Sequence, residues 1–87
     1  MSHVKESILH FPCDYLIKIE GGSKREFEPK IREIIELHAG KLDNHQIISK
    51  NKGRVISLTV RIVANSREQI DNINHDLTNC PLVEFIL

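Results

Sequence analysis

Gly21-Gly22-Ser23-Lys24-Arg25 is the stretch of this chain whose residue types come nearest to a site. Two glycines let backbone N–H groups come close together, and a lysine and an arginine follow. A helix starting there would add free N–H groups and the positive end of its dipole, a cradle for an anionic group. The plainer reading is a tight turn with solvated charges. Other chemistry-bearing residues are scattered. Cys13 and Cys80 are single, and neither belongs to a CxxC pair, so thioredoxin-like redox chemistry and a zinc ribbon both lack their motif. They read as small, partly buried thiols at strand ends. His10 and Cys13 are three apart, but one pair of ligands does not complete a tetrahedral metal site. His3, His38, His45 and His75 are dispersed. Asp14, Asp43 and Asp76 have no diagnostic spacing, and the chain contains no HExxH and no phosphate-binding loop. The residues predict no metal, no cofactor and no catalytic residues.

The elements that would position these residues must come from one small core. A chain of 87 residues has no room for a second. At this size a little over ~60% of the unfolded surface is buried, so the margin of stability is small. Hydrophobic residues at 40% and charged residues at 28% are those of a globular domain rather than a disordered one. The 12 basic and 12 acidic side chains cancel to a formal net charge of zero. Nucleic-acid binders usually carry a basic excess that replaces counterions on phosphate, so this balance argues against that partner. No apolar run approaches ~18 residues, which predicts no membrane span. Val4 is followed by Lys5 and Glu6, so Met1 to His10 has no signal-peptide core. A cytoplasmic protein is expected.

Residues 1–10 read as a flexible tail, anchored by Ile8, Leu9 and Phe11, and residues 11–87 as a single domain. Pro12 holds Phe11 extended and leads into a strand. Over Cys13–Glu20, Tyr15, Ile17 and Ile19 face one way and Leu16, Lys18 and Glu20 the other, the alternation of a half-buried strand. Gly21-Gly22 is expected to end it. In a helix over Phe27–His38, the side chains of Phe27, Ile31, Ile34, Ile35 and His38 fall within about 100° of arc, a core-facing stripe. Ser23 and Glu26 have the spacing of a capping box. Pro29 conflicts with it, because a helix starting at Ser23 would put the proline ring against the Arg25 carbonyl. The regular helix is therefore expected to begin near Arg25 or Glu26 and to end at Gly40. His38 reads as a hydrogen-bonded boundary histidine rather than a ligand.

Gln46–Asn51 and Arg54–Ala64 predict a hairpin around Lys52-Gly53, where glycine supplies positive φ. In its second strand Ile56, Leu58, Val60 and Ile62 make the buried face, and Val55, Ser57, Thr59, Arg61 and Val63 the other. Pairing Asn51 with Arg54 sets Ile47 opposite Leu58 on the buried face and Ile48 on the open one; a one-residue slip would reverse both. Ser66 and Gln69 have capping-box spacing at the start of a helix over Ser66–Leu77, buried along Ile70, Ile73 and Leu77. Pro81 blocks its continuation. Leu82–Leu87 reads as a closing strand, with Val83, Phe85 and Leu87 inward and Glu84 and Ile86 outward.

The order is βαββαβ. Right-handed crossovers put both helices on one face. Two interleaved split βαβ units predict an α+β, ferredoxin-like βαββαβ two-layer sandwich, its antiparallel sheet ordered 4-1-3-2. Cys13 and Cys80 then fall at opposite ends of the first strand, more than ~20 Å apart at ~3.3 Å per residue. That exceeds the ~7 Å reach of a disulfide. The other face of the sheet is uncovered, and Leu16, Lys18, Val55, Ser57, Thr59, Arg61, Val63 and Ile86 are expected on it. Scattered exposed apolar residues are ordinary. Several on one open sheet mark a surface for a partner or a homodimer, against the blander reading of a solvated face.

Several functions share this topology. RNA-recognition domains stack bases on aromatic rings of the central strands, and no outward position of those strands here is aromatic. Metallochaperones place a CxxC before the first helix, where this chain has Gly21-Gly22-Ser23. Acylphosphatases hold phosphate with a glycine loop and an arginine after the first strand; Lys24 and Arg25 are suitably placed, but the rest of that loop pattern is missing.

Phe11-Pro12 before the first strand, the glycine after it, and the helix ending His38-Ala39 form an ordered series. It continues with the Ser49–Gly53 turn, the long alternating strand and the closing Val83-Glu84-Phe85-Ile86-Leu87. Over residues 11–87 this series resembles the YbeD-like family of small bacterial proteins. Pro29 in the first helix is atypical of it. The resemblance implies a ferredoxin-like fold similar to the ACT-type regulatory domain of phosphoglycerate dehydrogenase, and no established activity. It also implies proximity of some relatives' genes to lipoate-attachment genes. By analogy with ACT-type domains, which bind small effectors near the turn after the first strand and pair through sheets or helices, Gly21, Gly22 and Ser23 mark a ligand loop. The expectation is a non-catalytic regulatory or interaction module, acting through that loop or the open sheet on an unknown protein or small-molecule effector. The alternatives are an acylphosphatase-like enzyme using Lys24 and Arg25, and single-stranded RNA binding on the sheet.

Overall fold

The computed structural model describes residues 10–87. The expected anchors Ile8 and Leu9 lie outside them; Phe11 packs against the core. The chain forms β1 (Cys13–Gly22), α1 (Phe27–Ala39), a short 3-10 turn (Asn44–Gln46), β2 (Ile47–Asn51), β3 (Val55–Ala64), α2 (Arg67–Thr78) and β4 (Val83–Ile86). The sheet is ordered β2-β3-β1-β4 with every neighbouring pair antiparallel, the ferredoxin-like arrangement expected. No helix among the described residues is long and apolar enough to cross a membrane.

The core lies between the sheet and the two helices. Ile17 and Ile19 of β1 and Leu58, Val60 and Ile62 of β3 meet Phe27, Ile31 and Ile35 of α1 and Ile70, Ile73 and Leu77 of α2. Each such side chain contributes about 1.5–3 kcal/mol by leaving water, so the alternation of β1 and β3 dictates which face the helices cover. Leu42 joins this core from the α1–β2 loop, which no periodicity announced. Polar contacts draw it in. Arg32 donates to the Leu42 carbonyl at 2.8 Å and to Asn44 Oδ1 at 3.0 Å, and the Leu42 N–H donates to Glu36 Oε2 at 2.8 Å.

Three local expectations are corrected. First, Gly21 and Gly22 do not end β1; they pair with Ile56 and Val55 and complete its ladder with β3. Second, the hairpin is displaced. Lys52 N–H bonds the Val55 carbonyl at 2.7 Å, so Gly53 and Arg54 are the central turn residues, with Gly53 at φ +81°. Positive φ at the first central position is what a type II′ turn needs. Moving the turn by one residue moves the register by two: Ile47 lies opposite Val60, not Leu58. A two-residue shift preserves facing, so Ile47 still points inward and Ile48 outward. Third, β4 is bulged. Glu20 faces Phe85 but Gly21 faces Val83, leaving Glu84 as the extra residue. Strict alternation fails across such a bulge. Val83 and Ile86 pack on the core, Ile86 opposite buried Ile19, whereas Phe85 and Leu87 are exposed. The expected facing of Phe85, Leu87 and Ile86 is thereby reversed.

The helix ends follow from capping. The Ser23–Glu26 capping box does not form; Glu26 is the N-cap of α1 without a side-chain bond. Ser23 instead donates its N–H to the Arg54 carbonyl at 2.8 Å, which extends the β1–β3 pairing. Pro29 falls in the first turn of α1, where its missing N–H has no intrahelical partner to lose. Gly40, at φ +82°, closes the helix through its N–H to the Glu36 carbonyl. At α2, Ser66 accepts from the Gln69 N–H at 3.0 Å, while the Gln69 side chain accepts from Asn65 N–H and donates to the His38 carbonyl. Ser66→Ala is expected to lower stability by about 1 kcal/mol in urea denaturation, with Ser66→Asp retaining most of it. His38 is the expected boundary histidine: its Nε2 lies 2.6 Å from Asp76 Oδ2, joining the two helices.

Candidate functional site

Gly21, at the entry to the β1–α1 loop, is closed off by the protein itself. A Cβ on Gly21 would overlap the Phe27 ring and the Leu82 carbonyl, so this glycine serves a close approach of helix and β4 backbone. Three of the backbone donors that follow it are committed. Ser23 N–H bonds Arg54, Lys24 N–H bonds the Gly22 carbonyl at 2.8 Å, and Phe27 N–H bonds the Lys24 carbonyl at 3.1 Å. Lys24 and Arg25 are exposed, with Glu26 and Glu28 beside them. An anion there would meet the carboxylates of Glu26 and Glu28 as well as the two cations. The five residues expected to form one ligand loop are adjacent, with Gly21 packed under Phe27 and Gly22 to Arg25 towards solvent. Cys13 and Cys80 are both free thiols, as the strand geometry required.

The open face of the sheet is the second candidate. β1–β3 pairing sets Leu16 beside Arg61, Lys18 beside Thr59, and Asp14 beside Val63. β2 adds Ile48 next to Thr59 and Lys50 next to Ser57. β4 adds Phe85 next to Glu20, and Leu87 follows with its N–H on the Lys18 carbonyl. Leu16, Ile48, Val63, Phe85 and Leu87 are between 54% and 69% exposed. Lys18 and Arg61 are also exposed, and Val55 and Thr59 half-buried. Two expected members drop out. Ile86 turns to the core because of the bulge, and Ser57 is only 4% exposed in its row between Glu20 and Lys50. Phe85 and Leu87 replace them. Their signal in the sequence was ambiguous, since Val83-Glu84-Phe85-Ile86-Leu87 alternates equally well in either phase once a bulge is allowed.

The face is concave near β2. Leu16, His45, Gln46, Ile48, Thr59 and Arg61 border a hollow of ≈ 220 Å³. Gln46 holds its rim: the side-chain oxygen accepts from Asp43 N–H at 2.8 Å, and the amide donates to the Arg61 carbonyl at 2.9 Å. A second hollow, of ≈ 290 Å³, lies at the β4 edge against Thr78, Val83, Glu84 and Ile86.

A family described as proteins of unknown function, DUF493, matches residues 6–87. The chain belongs to the DUF493 family. The YbeD-like resemblance is thus borne out, and the match begins ahead of Phe11. Among similar DUF493 relatives, the UPF0250 protein of Vesicomyosocius okutanii is 44% identical over 100% of this chain and 97% of that protein. Those of Ruthia magnifica and Chromobacterium violaceum are 40% and 37% identical, over 94% and 100% of this chain and 91% and 100% of theirs. The ACT domain from GTP pyrophosphokinase of Chlorobium tepidum superposes with a TM-score of 0.64 at 18% identity, over 85% of this chain and 84% of that one. That likeness concerns the fold, and agrees with the ACT-like architecture that the family resemblance implied. Fold alone is no warrant for a function.

Proposed function

We propose that this DUF493 protein is a non-catalytic interaction module of the bacterial cytoplasm that works through the open face of its sheet. The observation that carries this reading is the gathering of five large apolar side chains, Leu16, Ile48, Val63, Phe85 and Leu87, on the face that no helix among the described residues covers. Apolar surface costs about 25 cal/mol for each Å² left in water, so a partner that covers such a patch is favoured. Charges of both signs lie among these residues, Lys18, Lys50 and Arg61 with Asp14 and Glu20, and would give that partner orientation. A partner protein or a second copy of the chain both suit a surface of this kind.

The rival ligand loop is disfavoured by its own packing, since Gly21 is closed off by Phe27 and Leu82. The acylphosphatase-like alternative loses support for the same reason. RNA binding gains one ring, Phe85, but on an edge strand, whereas stacking of successive bases uses rings on the central strands.

Leu16→Glu and Phe85→Glu alter exposed positions and should leave the fold intact. Capture from native lysate and sedimentation velocity, run on the parent and both variants, check the reading. The parent is expected to enrich a protein partner or to self-associate, and either variant to lose that association by about tenfold or more, because a buried unpaired charge opposes docking. Identical behaviour of all three proteins would remove the open face as the working surface. Acyl-phosphate hydrolysis abolished by Arg25→Ala would overturn the non-catalytic reading.

A further inference from the structure

β4 covers only part of β1. Its register runs from Ile19–Ile86 to Gly21–Val83, and the Leu87 N–H reaches the Lys18 carbonyl at 2.8 Å. From Cys13 to Ile17, β1 is paired on its β3 side alone among the described residues. The Lys18 bond fixes which backbone groups are left open. Lys18 turns its peptide groups towards β4, and every second residue of a strand turns the same way. Leu16 and Asp14 therefore hold their N–H and C=O groups towards the lane that β4 leaves, and no backbone partner among the described residues meets them there. Strand edges of this kind are ordinarily covered, because unpaired donors and acceptors recruit another segment. Leu16, 58% exposed on the open face, and Tyr15, half-buried on the helix side, flank the lane.

What can reach the lane selects its occupant. A second copy of the chain fits poorly. Two-fold pairing of β1 with itself, with Asp14 and Leu16 exchanging bonds, brings the copy's Pro12 opposite Lys18, where Leu87 already lies. The neighbouring register sets the two Asp14 carboxylates directly opposite each other, and like charges so placed repel. The chain's own approach is direct. It bends at Phe11 and Pro12, immediately before β1. A chain that reverses there runs antiparallel to β1, and residues 6–9 are long enough to lie along positions 14–17. The family match begins at residue 6, at the far end of that stretch. Ile8 and Leu9 suit the two sides of the lane. Neighbouring residues of a strand face opposite ways, so one would join the open face beside Asp14 and Leu16, and the other Tyr15 on the helix side. We infer that residues 6–9 dock beside β1 as an added antiparallel strand, in line with β4, and bond the backbone groups of Asp14 and Leu16. The inference goes beyond the open-face reading and does not rest on it.

Nuclear Overhauser contacts and amide hydrogen exchange of the isotope-labelled full chain test it. The expected result is a set of cross-strand contacts between residues 6–9 and Asp14–Ile17. Exchange at the Asp14 and Leu16 amides should also be about tenfold or more slower than in a full-length double variant, Ile8→Asp with Leu9→Asp. The amides of Ile17 and Val60, which face each other within the β1–β3 ladder, should exchange equally slowly in both proteins and show that the fold is kept. Should the double variant fail to fold, the contacts in the parent decide alone. Unprotected Asp14 and Leu16 amides in the parent, protection that a folded double variant retains, or contacts of residues 6–9 with another part of the domain would each overturn the inference. So would protection that rises with protein concentration, because the lane would then belong to a second copy.

Discussion

Gly21→Ala is expected to destabilise the protein by about 1–3 kcal/mol, towards the upper end, whereas Gly22→Ala should be neutral or stabilising by up to about 1 kcal/mol. The two glycines are adjacent and have the same chemistry, so only their surroundings separate them. A methyl group on Gly21 would overlap the Phe27 ring and the Leu82 carbonyl. One at Gly22 would meet only Glu84 Oε2 at 3.8 Å, an ordinary contact. Neither has the positive φ seen at Gly40 and Gly53, so backbone strain contributes nothing to the difference. Urea denaturation of both variants reads it directly. Adding Phe27→Leu to Gly21→Ala should recover part of the loss, since it removes the ring but leaves the carbonyl in place. Equal stability of the two single variants would show that the loop is open after all, and would restore Gly21 as a candidate ligand contact.

Phe27→Ala is expected to cost about 3–5 kcal/mol, against a change within about 0.5 kcal/mol for Phe85→Ala. Phe27 is fully buried at the start of α1, between the helix and Gly21 of β1. Phe85 is 60% exposed on the open face. In a domain of this size each kcal/mol moves Tm by roughly 4–8 °C, so the Phe27 variant should melt at least about 12 °C lower. It should also be close to the limit of stability expected for a small domain, about 5 kcal/mol. Thermal melts of the two variants also test the β4 bulge. Without it Phe85 would face the core, and its truncation would be as damaging as that of Phe27.

These two phenylalanines mark where local pattern was sufficient and where it was not. Phe27 belongs to a stripe with Ile31 and Ile35, and helical periodicity placed all of them correctly. The same holds for the faces of β1 and β3, which pair over their whole length from Cys13–Ala64 to Gly22–Val55. Phe85 belongs to a strand of four residues, too short for alternation to reveal a bulge. At Ser23, capping chemistry competed with a sheet hydrogen bond to Arg54, and the sheet bond won. Leu42 shows no periodicity because it belongs to a loop, and its burial depends on Arg32 and Glu36 ten and six residues away.

The candidate surface divides the same way. Leu16, Lys18, Thr59, Arg61 and Val63 were legible because each alternates with a core residue. Ile86 was misplaced, Ser57 lies on the face but is covered, and Phe85 and Leu87 were missed, because their exposure depends on what lies across the sheet. Gly21-Gly22-Ser23-Lys24-Arg25, the stretch most suggestive of chemistry, shows the difference most clearly. Residue types there allow an anion cradle, but whether backbone donors remain free depends on partners at Gly22, Lys24 and Arg54. By itself the sequence determined the order of elements, the buried face of each long element and the separation of the two cysteines, because these follow from periodicity and chain length. Tertiary structure alone decided the hairpin register, the bulge, the close packing at Gly21 and the hollow beside Arg61. Those depend on contacts between residues distant in the chain, whose geometry no local spacing encodes.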